Sequence, residues 1–511
     1  MINMAHRSIK IAAAGLIAMS CTINTYAQDP SDALRMSLLS PQGTARSIGF
    51  GNTLGSVGGD FTSLSVNPAG IGVYRKSEVM FTPSMMFSNT DGEYNPNGSG
   101  FGNSMSRNGQ HFALSNFGFV LTSAAKGRDY DKHDWKSFSF AFGMNRLADF
   151  TRNYTYGGNN ENTSGSWIFE IDANNNPGNI NRNATPAYLG YESYLLDTAT
   201  LSNGQKGYLS VINPSAGNPV GQQMTVRERG GISEYVLSWG GNYRDKLMLG
   251  VTVGLPYVRY LRETSYREND LSNNTNNDFA YYTYNSDLRT TGLGINAKLG
   301  FIYKPVELFR IGAAVHTPTW YGLHDRYNTG VVANTEGFGG IRDISNPQGE
   351  YDYNILTPWR GVVSATALFG RYGFITADYE YVDYKSAEFR FDKDSRAYEN
   401  SINNEIDSVY RGASNLRIGL EIKLDMISLR GGFGYYGNPY KQAIYKDGER
   451  YDFSAGLGFR MKNSFIDFGV IHHQYKNQEQ PYVAYADQFV NPVARLNTNQ
   501  TNAVLTFGWK F

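Results

Sequence analysis

Cysteine is nearly absent from this sequence: Cys21 is the only one in 511 residues. With a single thiol the chain forms no internal disulfide and builds no cysteine-ligated zinc or iron–sulfur site. A surplus of either charge is lacking too, since 46 basic residues balance 46 acidic ones. No basic field favours nucleic acid, and no basic cluster with interleaved aromatics stands out. Long hydrophobic runs are also missing. Past the N-terminus no run reaches the 18 or so apolar residues of a membrane-spanning helix. The early run Ile11–Ser20 is half the length such a helix needs. It follows His6, Arg7 and Lys10 and precedes the small-residue site Thr25-Tyr26-Ala27, the layout of a secretory signal peptide over residues 1–27. Ala18-Met19-Ser20 is a poor lipoprotein box before Cys21. The mature chain is therefore expected to start near Gln28, without cysteine.

Glycine and aromatics are plentiful: 56 Gly, 37 Tyr and 29 Phe. Glycine is about 11% of the chain against a usual ~7%. With little Leu-rich helical pattern, this composition indicates β-structure. Mean hydropathy is negative. That is compatible with a membrane barrel, because only alternate strand residues face lipid.

Residues 28–77 show no sustained two-residue alternation. Asp32 to Leu39 read as a short helix, with Ser31 as N-cap and Pro41 as its stop. A Gly-rich stretch from Gly43 through Gly59 leads to Asn67-Pro68-Ala69-Gly70, so this part reads as a compact plug. From Glu78 onward, alternating segments recur over residues 78–511. In the cleanest, Leu416, Ile418, Leu420, Ile422 and Leu424 alternate with Arg417, Gly419, Glu421, Lys423 and Asp425. Phe453 to Lys462 and Leu293 to Lys304 repeat the pattern. Each is about ten residues long, as a tilted bilayer-crossing strand requires, whereas soluble strands average about 5–6.

Short turns such as Leu424-Asp425-Met426 alternate with long polar intervals at 157–230, 267–290, 386–413 and 476–500. Fourteen strands are expected, centred near residues 83, 116, 141, 237, 254, 298, 313, 362, 377, 419, 431, 457, 469 and 507; 145–156 and 349–370 can each be split or merged. Hydrocarbon offers no hydrogen-bond partner, so the strands must close on themselves. The expected fold is an all-β, transmembrane antiparallel β-barrel. In this facing assignment Leu457→Arg meets lipid and is costly, while Gly458→Ser is mild. The final strand, Ala503 to Phe511, ends on an aromatic with Trp509 two residues earlier. That ending resembles the signal by which outer-membrane proteins are recognised, and it names barrel-assembly machinery as a partner of Phe511.

Three stretches resemble the FadL family of outer-membrane transporters of hydrophobic compounds: Gly43-Thr44-Ala45-Arg46-Ser47-Ile48-Gly49 through Asn67-Pro68-Ala69-Gly70, Gly300 to Pro318, and Leu416 to Phe433. The first is the most specific; the other two are partly general barrel pattern. The resemblance implies a fourteen-stranded barrel with an N-terminal hatch that includes Gly43, Arg46, Gly49, Asn67, Pro68, Ala69 and Gly70. It implies capture of a hydrophobic small molecule and diffusion through a lateral opening at an inward kink of the third strand. Here Gly143-Met144-Asn145-Arg146 is the candidate kink; the plainer reading is that Asn145 and Arg146 point into the lumen. The resemblance also places loop helices at an extracellular groove. Pro186 to Leu196 suits one, with Tyr188, Leu189, Tyr191 and Leu195 as groove residues, ordinary loop packing being the alternative. Asn67-Pro68-Ala69-Gly70 likewise has a plain reading as a turn.

No enzyme, cofactor or metal site is expected. His472 and His473 face opposite sides of a strand. Asp172, Asn174, Asn176 and Gly178 miss the calcium-loop spacing and the closing Glu. Gly49-Phe50-Gly51 with Gly55 fails the dinucleotide fingerprint, and His111 with Ser115 makes only a weak nucleophile pair. The reading is passive uptake, with outer-membrane lipid and a hydrophobic ligand as partners. A porin for polar solutes and an adhesive barrel acting through its loops are the alternatives.

Overall fold

The computed structural model describes residues 28–511 apart from 99, 126, 128, 202–203, 273, 275–276, 339, 443–444 and 485–488. The signal-peptide reading of residues 1–27 lies outside the described residues.

Fourteen strands form one antiparallel ring. They are β1 (Glu78–Asn95), β2 (Met105–Ala124), β3 (Trp135–Asp149, continued as Arg152–Asn160), β4 (Val220–Tyr243) and β5 (Leu247–Asp270). β6 (Tyr281–Val306), β7 (Phe309–His316 and Trp320–Thr335), β8 (Gly349–Leu356 and Arg360–Leu368) and β9 (Gly373–Asp383 and Glu388–Arg390) follow. The circuit ends with β10 (Gly412–Leu424), β11 (Ile427–Tyr436), β12 (Arg450–Arg460), β13 (Ser464–Glu479) and β14 (Val493–Lys510). β14 returns to β1, from Glu78↔Lys510 to Asn95↔Val493, and closes the barrel. Among the described residues, no helix is long and apolar enough to cross a membrane.

Each of the fourteen expected centres falls in a different strand, but the strands are longer than expected. β4, β5 and β6 run 24, 24 and 26 residues. Residues 220–230, 267–270 and 281–290, read from sequence as loop, are ladder. Above the apolar zone both faces of a strand meet water or polar neighbours, so hydrogen bonding continues where hydrophobic alternation has stopped.

The outer surface records that boundary. Phe81 and Phe87 on β1, Leu457 and Phe459 on β12, Ile466 and Phe468 on β13, and Trp509 on β14 stand exposed. Just beyond them Asn89, Asn108, Gln110, His472, Asn499 and Thr501 line a polar dent on the same outer face. On β14 the apolar column runs from Phe511 back to Ala503. At ~3.3 Å per residue and a tilt of about 40° those nine residues rise about 23 Å, the height of a barrel's apolar band.

Residues 28–77 sit inside the ring. α1 (Pro30–Ser37) begins two residues earlier than the expected Asp32 start. Its cap is Asp29 rather than Ser31: the Asp29 carboxylate accepts from Ser31 N at 2.7 Å, and Asp32 accepts from Asp29 N at 3.1 Å. Pro30, which has no N–H to leave unpaired, fits the first helical position. A second helix, α2 (Ala45–Gly49), and two 3₁₀ turns, Phe61–Ser65 and Pro68–Val73, complete the segment.

This segment is bonded to the wall on every side. Ala45 N donates to Thr506 on β14 at 2.7 Å, Arg46 to Glu421 on β10 at 3.0 Å, and Gly55 N to Asp378 on β9 at 3.1 Å. Ser56 meets Ser364 and Thr366 on β8 at 2.7 Å each. Ser65 donates to Glu234 on β4 at 2.8 Å. Where backbone meets backbone the wall presents glycine: a Cβ on Gly250, Gly312 or Gly419 would lie 2.2, 2.2 or 2.3 Å from a carbonyl oxygen of Pro68, Gly55 or Phe50. The abundance of glycine is thus partly a close-fitting seat.

Candidate functional site

The third strand leaves its neighbour. β3 pairs with β2 from Ala124↔Ser137 to Asn116↔Asn145 and no further. It stays paired with β4 to its end, with a register shift between Arg146 and Ala148 and a break at Phe150-Thr151. The pivot is Gly230 on β4, at φ +114°, where a Cβ would lie 2.0 Å from Arg259 O. Only glycine adopts that backbone without strain. Phe150 N and the Arg146 guanidinium both donate to Gly230 O, at 3.0 and 2.8 Å. Beyond the break β3 swings inward over β1: Thr155 O comes within 2.3 Å of where a Gly92 Cβ would be.

Among the described residues, β2 therefore has no ladder partner on this side over 105–115. Side chains cross the gap instead. His111 Nδ1 lies 3.3 Å from Asp149. Asn153 donates to Asn108 O at 3.0 Å, and Arg107 to Thr155 Oγ1 at 3.0 Å. Asp149 is the hub, also accepting from Arg146 at 2.8 Å and from Thr151 N at 2.9 Å. Outside, Phe112 is 69% exposed at the gap's lower lip, directly below Gln110 in the polar dent. The gap thus straddles the top of the apolar band.

Behind it is a cavity of about 280 Å³ between α1 and the wall. Leu34, Leu38 and Leu39 form its plug side. Phe150, from the strand break, meets Tyr260 edge to face at 5.5 Å, and Tyr384, Tyr436 and Tyr440 extend the aromatic wall. The charged lining groups other than the exposed Lys476 are internally matched. Arg152 pairs with Glu228 at 2.6 Å, and Glu228 also accepts from Tyr260 at 2.7 Å. Arg35 lies over the Tyr260 ring at 4.1 Å and Arg450 over Tyr436 at 3.7 Å. His473 and Arg450 share Asp452, at 2.7 and 3.1 Å. Such a lining makes close apolar contact and offers ring faces, and among the described residues only the exposed Lys476 brings a charge without an ion-pair partner.

The residues read from sequence fall as follows. Gly43 packs against Thr62, where a Cβ would come within 1.9 Å, and Gly49 approaches Gly456 of the wall. Asn67 caps the 3₁₀ turn through Ala69 N at 3.0 Å and donates to Gly55 O, Phe301 O and Ala313 O at 2.6, 3.1 and 3.3 Å. Pro68, Ala69 and Gly70 are buried, and Gly70 O accepts from Gly59 N at 3.0 Å. Gly143 lies opposite Gly118, and the Phe61 ring packs over both. Asn145 is the last β3 residue paired with β2; its side chain reaches Ser65 at 3.0 Å. Pro186–Glu192 forms a helix of the long loop. There Leu189 and Leu195 are fully buried with Phe169, while Tyr188 packs at the cluster's edge and Tyr191 rests on Tyr208. His111, Asp149, Phe150 and Arg152 were not singled out as gap or cavity residues from sequence. The available signals were Gly230-Gly231 and Gly157-Gly158 inside polar strand segments, since paired glycines in a strand mark a bend.

A closed barrel with an N-terminal segment seated in its lumen and an inward break in its third strand is a plugged β-barrel. Solved structures share this fold. A FadL homologue from Pseudomonas aeruginosa superposes with a TM-score of 0.53 at 13% identity, covering 93% of this chain and 100% of that one. The toluene transporter TodX from P. putida gives 0.51 at 13% identity, covering 92% and 98%. No protein-family model and no curated protein matches the sequence. The fold is that of FadL-type barrels.

Proposed function

We propose that this chain is a passive outer-membrane channel for small hydrophobic molecules, with residues 28–77 as its hatch and the β2–β3 gap as its exit. The observation that carries the reading is the aromatic cavity ending at a wall break level with the top of the apolar band. A solute leaving the cavity past Phe150 and Asp149 enters the membrane without crossing water. The fold neighbours, described as a FadL homologue and a toluene transporter, support the solute class. At about 280 Å³ the cavity is at the small end of the ~300–1,000 Å³ range of ligand pockets, which favours a monoaromatic or a mid-length acyl chain.

The test is uptake of radiolabelled toluene and decanoate by cells carrying the protein, beside liposome swelling with sugars. Hydrophobic uptake without sugar swelling is expected. Phe150→Trp, which adds volume at the cavity's exit, should lower uptake at least fivefold at equal surface level. Unchanged uptake in that variant, or rapid sugar swelling with the wild type, would refute the reading.

A further inference from the structure

We propose that the short-turn mouth of the barrel holds a second site, for a small oxyanion bearing a phosphate or carboxylate group, organised around Arg310. It lies at the opposite end of the plug from the aromatic cavity and does not depend on the transport reading. A cavity of about 480 Å³ separates the plug's lower surface, at Val57 to Asp60 and Val73 to Lys76, from the ends of the wall strands. Seven cationic and four anionic side chains line it.

The carboxylates are already committed. Glu421 receives Arg46 at 3.0 Å and Arg430 at 2.7 Å. Asp467 receives Arg430 at 2.7 Å and Arg460 at 3.1 Å. Glu78 takes Lys510 at 3.3 Å. Asp60 accepts from Thr44 at 2.7 Å and from Thr62 N at 2.9 Å. Arg310 is left over. One Nη donates to Val57 O at 2.8 Å, and its Nε is shut from solvent with no partner. Lys76, on the same lining, makes no ion pair among the described residues. Arg310 feels the positive charges of Arg46 and Arg75 and the negative charge of Glu307, and Glu307 is solvent-exposed and paired with Lys304.

A guanidinium is a fork of donors matched to an oxyanion; Arg310 lines a cavity of excess positive charge with an unsatisfied Nε that a turn of its side chain would bring to an anion held there. An oxyanion seated there would bridge the wall, through Arg310, to plug-borne Arg46 and Lys76, while Arg75 stays on Asp245. It would relieve their mutual repulsion and favour the seated plug.

The experiment uses the whole folded protein, its barrel state verified by heat-modified gel mobility. Thermal unfolding is followed against inorganic phosphate in neutral detergent, and against phosphatidic acid in phosphatidylcholine nanodiscs. Sodium chloride of equal ionic strength is the control for screening. A ligand specific to the folded state raises stability in a saturable way, and that is the expected result with phosphate but not chloride. Arg310→Gln should weaken the effect at least tenfold, and the exposed Arg371→Gln should leave it intact. Arg310→Lys keeps the charge without the fork and should show a smaller loss, which preserves the test if the Gln variant does not fold. Saturation by phosphatidic acid at under a tenth of the phosphate concentration supports the site with a lipid head group as its source; no such preference supports it with a soluble anion. No saturable stabilisation of the wild type by either probe, or equal stabilisation of Arg310→Gln, would overturn the proposal.

Discussion

Gly250→Ala is the sharpest test of how the N-terminal segment is held. Gly250 lies on β5 and faces the lumen. An added Cβ would stand 2.2 Å from Pro68 O, 2.4 Å from Pro68 C and 2.6 Å from Ala69 N. Ordinary contact begins about 1 Å further out, so one side must retreat by that much. The wall has little freedom, because Gly250 pairs with Gly240 on β4 and Gly300 on β6. The plug is restrained as well, since Asn67 ties the same turn to Gly55, Phe301 and Ala313. Overpacking of this kind costs about 1–3 kcal/mol, which raises the displaced-plug population about 5- to 150-fold. Planar-bilayer recording should show openings of a kind rare in the wild type, while heat-modified mobility shows an intact barrel. Gly431→Ala is the matched control, because a Cβ there meets nothing within 4 Å. If the two alanines give equal conductance and equal unfolding temperature, the close seating of plug on wall is wrong.

Three further outcomes are expected. Leu457→Arg should block insertion into liposomes, because Leu457 is exposed on the outer face and an arginine at mid-bilayer costs about 2–4 kcal/mol. Gly458→Ser should also destabilise, by lowering the urea midpoint, because its Cβ would meet Asp467 and Arg430 at 2.3 and 2.5 Å and disrupt their buried pair; an unchanged midpoint would contradict this. Gly230→Ala should impose about 1–3 kcal/mol of backbone strain besides its clash with Arg259 O. Reduced uptake and a lower unfolding temperature are expected, and wild-type values for both would remove Gly230 as the pivot.

What the sequence made legible follows the solvent. Where one strand face meets hydrocarbon and the other the lumen, as in Leu416–Leu424, alternation reveals the strand and its facing. In Val220–Glu228 and Arg262–Asn269 neither face meets lipid, so the same ladder reads as polar loop. The structure changes the Gly458 expectation for a related reason. Alternation placed the residue inward, but that Arg430 and Asp467 converge on it depends on a fold that sequence spacing does not contain. At the third strand, the faltering alternation at Gly143–Arg146 coincides with the end of the β2 ladder at Asn145. The bend itself, at Phe150-Thr151, depends on a positive φ two strand-ends away at Gly230. No local pattern in β3 encodes a partner's backbone angle. Asn67-Pro68-Ala69-Gly70 is legible as a turn through Asn capping and Pro at the first position, while its burial against Gly250 and Gly300 is tertiary.

The plug and the gap make one argument about direction. Below the aromatic cavity the lumen is filled by α2 and the 3₁₀ turns, and Arg46 of α2 is tied to Glu421 of the wall, an almost wholly buried carboxylate that Arg430 of the wall also holds. Opening a straight route there means separating the Arg46–Glu421 pair, and breaking a buried pair costs about 3–5 kcal/mol. Beyond lies a mouth lined by seven cationic side chains, a poor environment for an apolar solute. At the gap the barrier is smaller in kind. The crossing contacts are three side-chain bridges, His111–Asp149, Asn153–Asn108 and Arg107–Thr155. Hydrogen bonds contribute about 0.5–1.5 kcal/mol each, or about 1.5–3 where a charged group takes part, and these three give way one at a time. A hydrophobic solute also keeps its apolar contact on entering the membrane, worth about 25 cal/mol per Å² of surface withheld from water. A sugar gains nothing from that exit. The proposed lateral exit would thus select by polarity through its direction, without needing a pocket shaped to one compound.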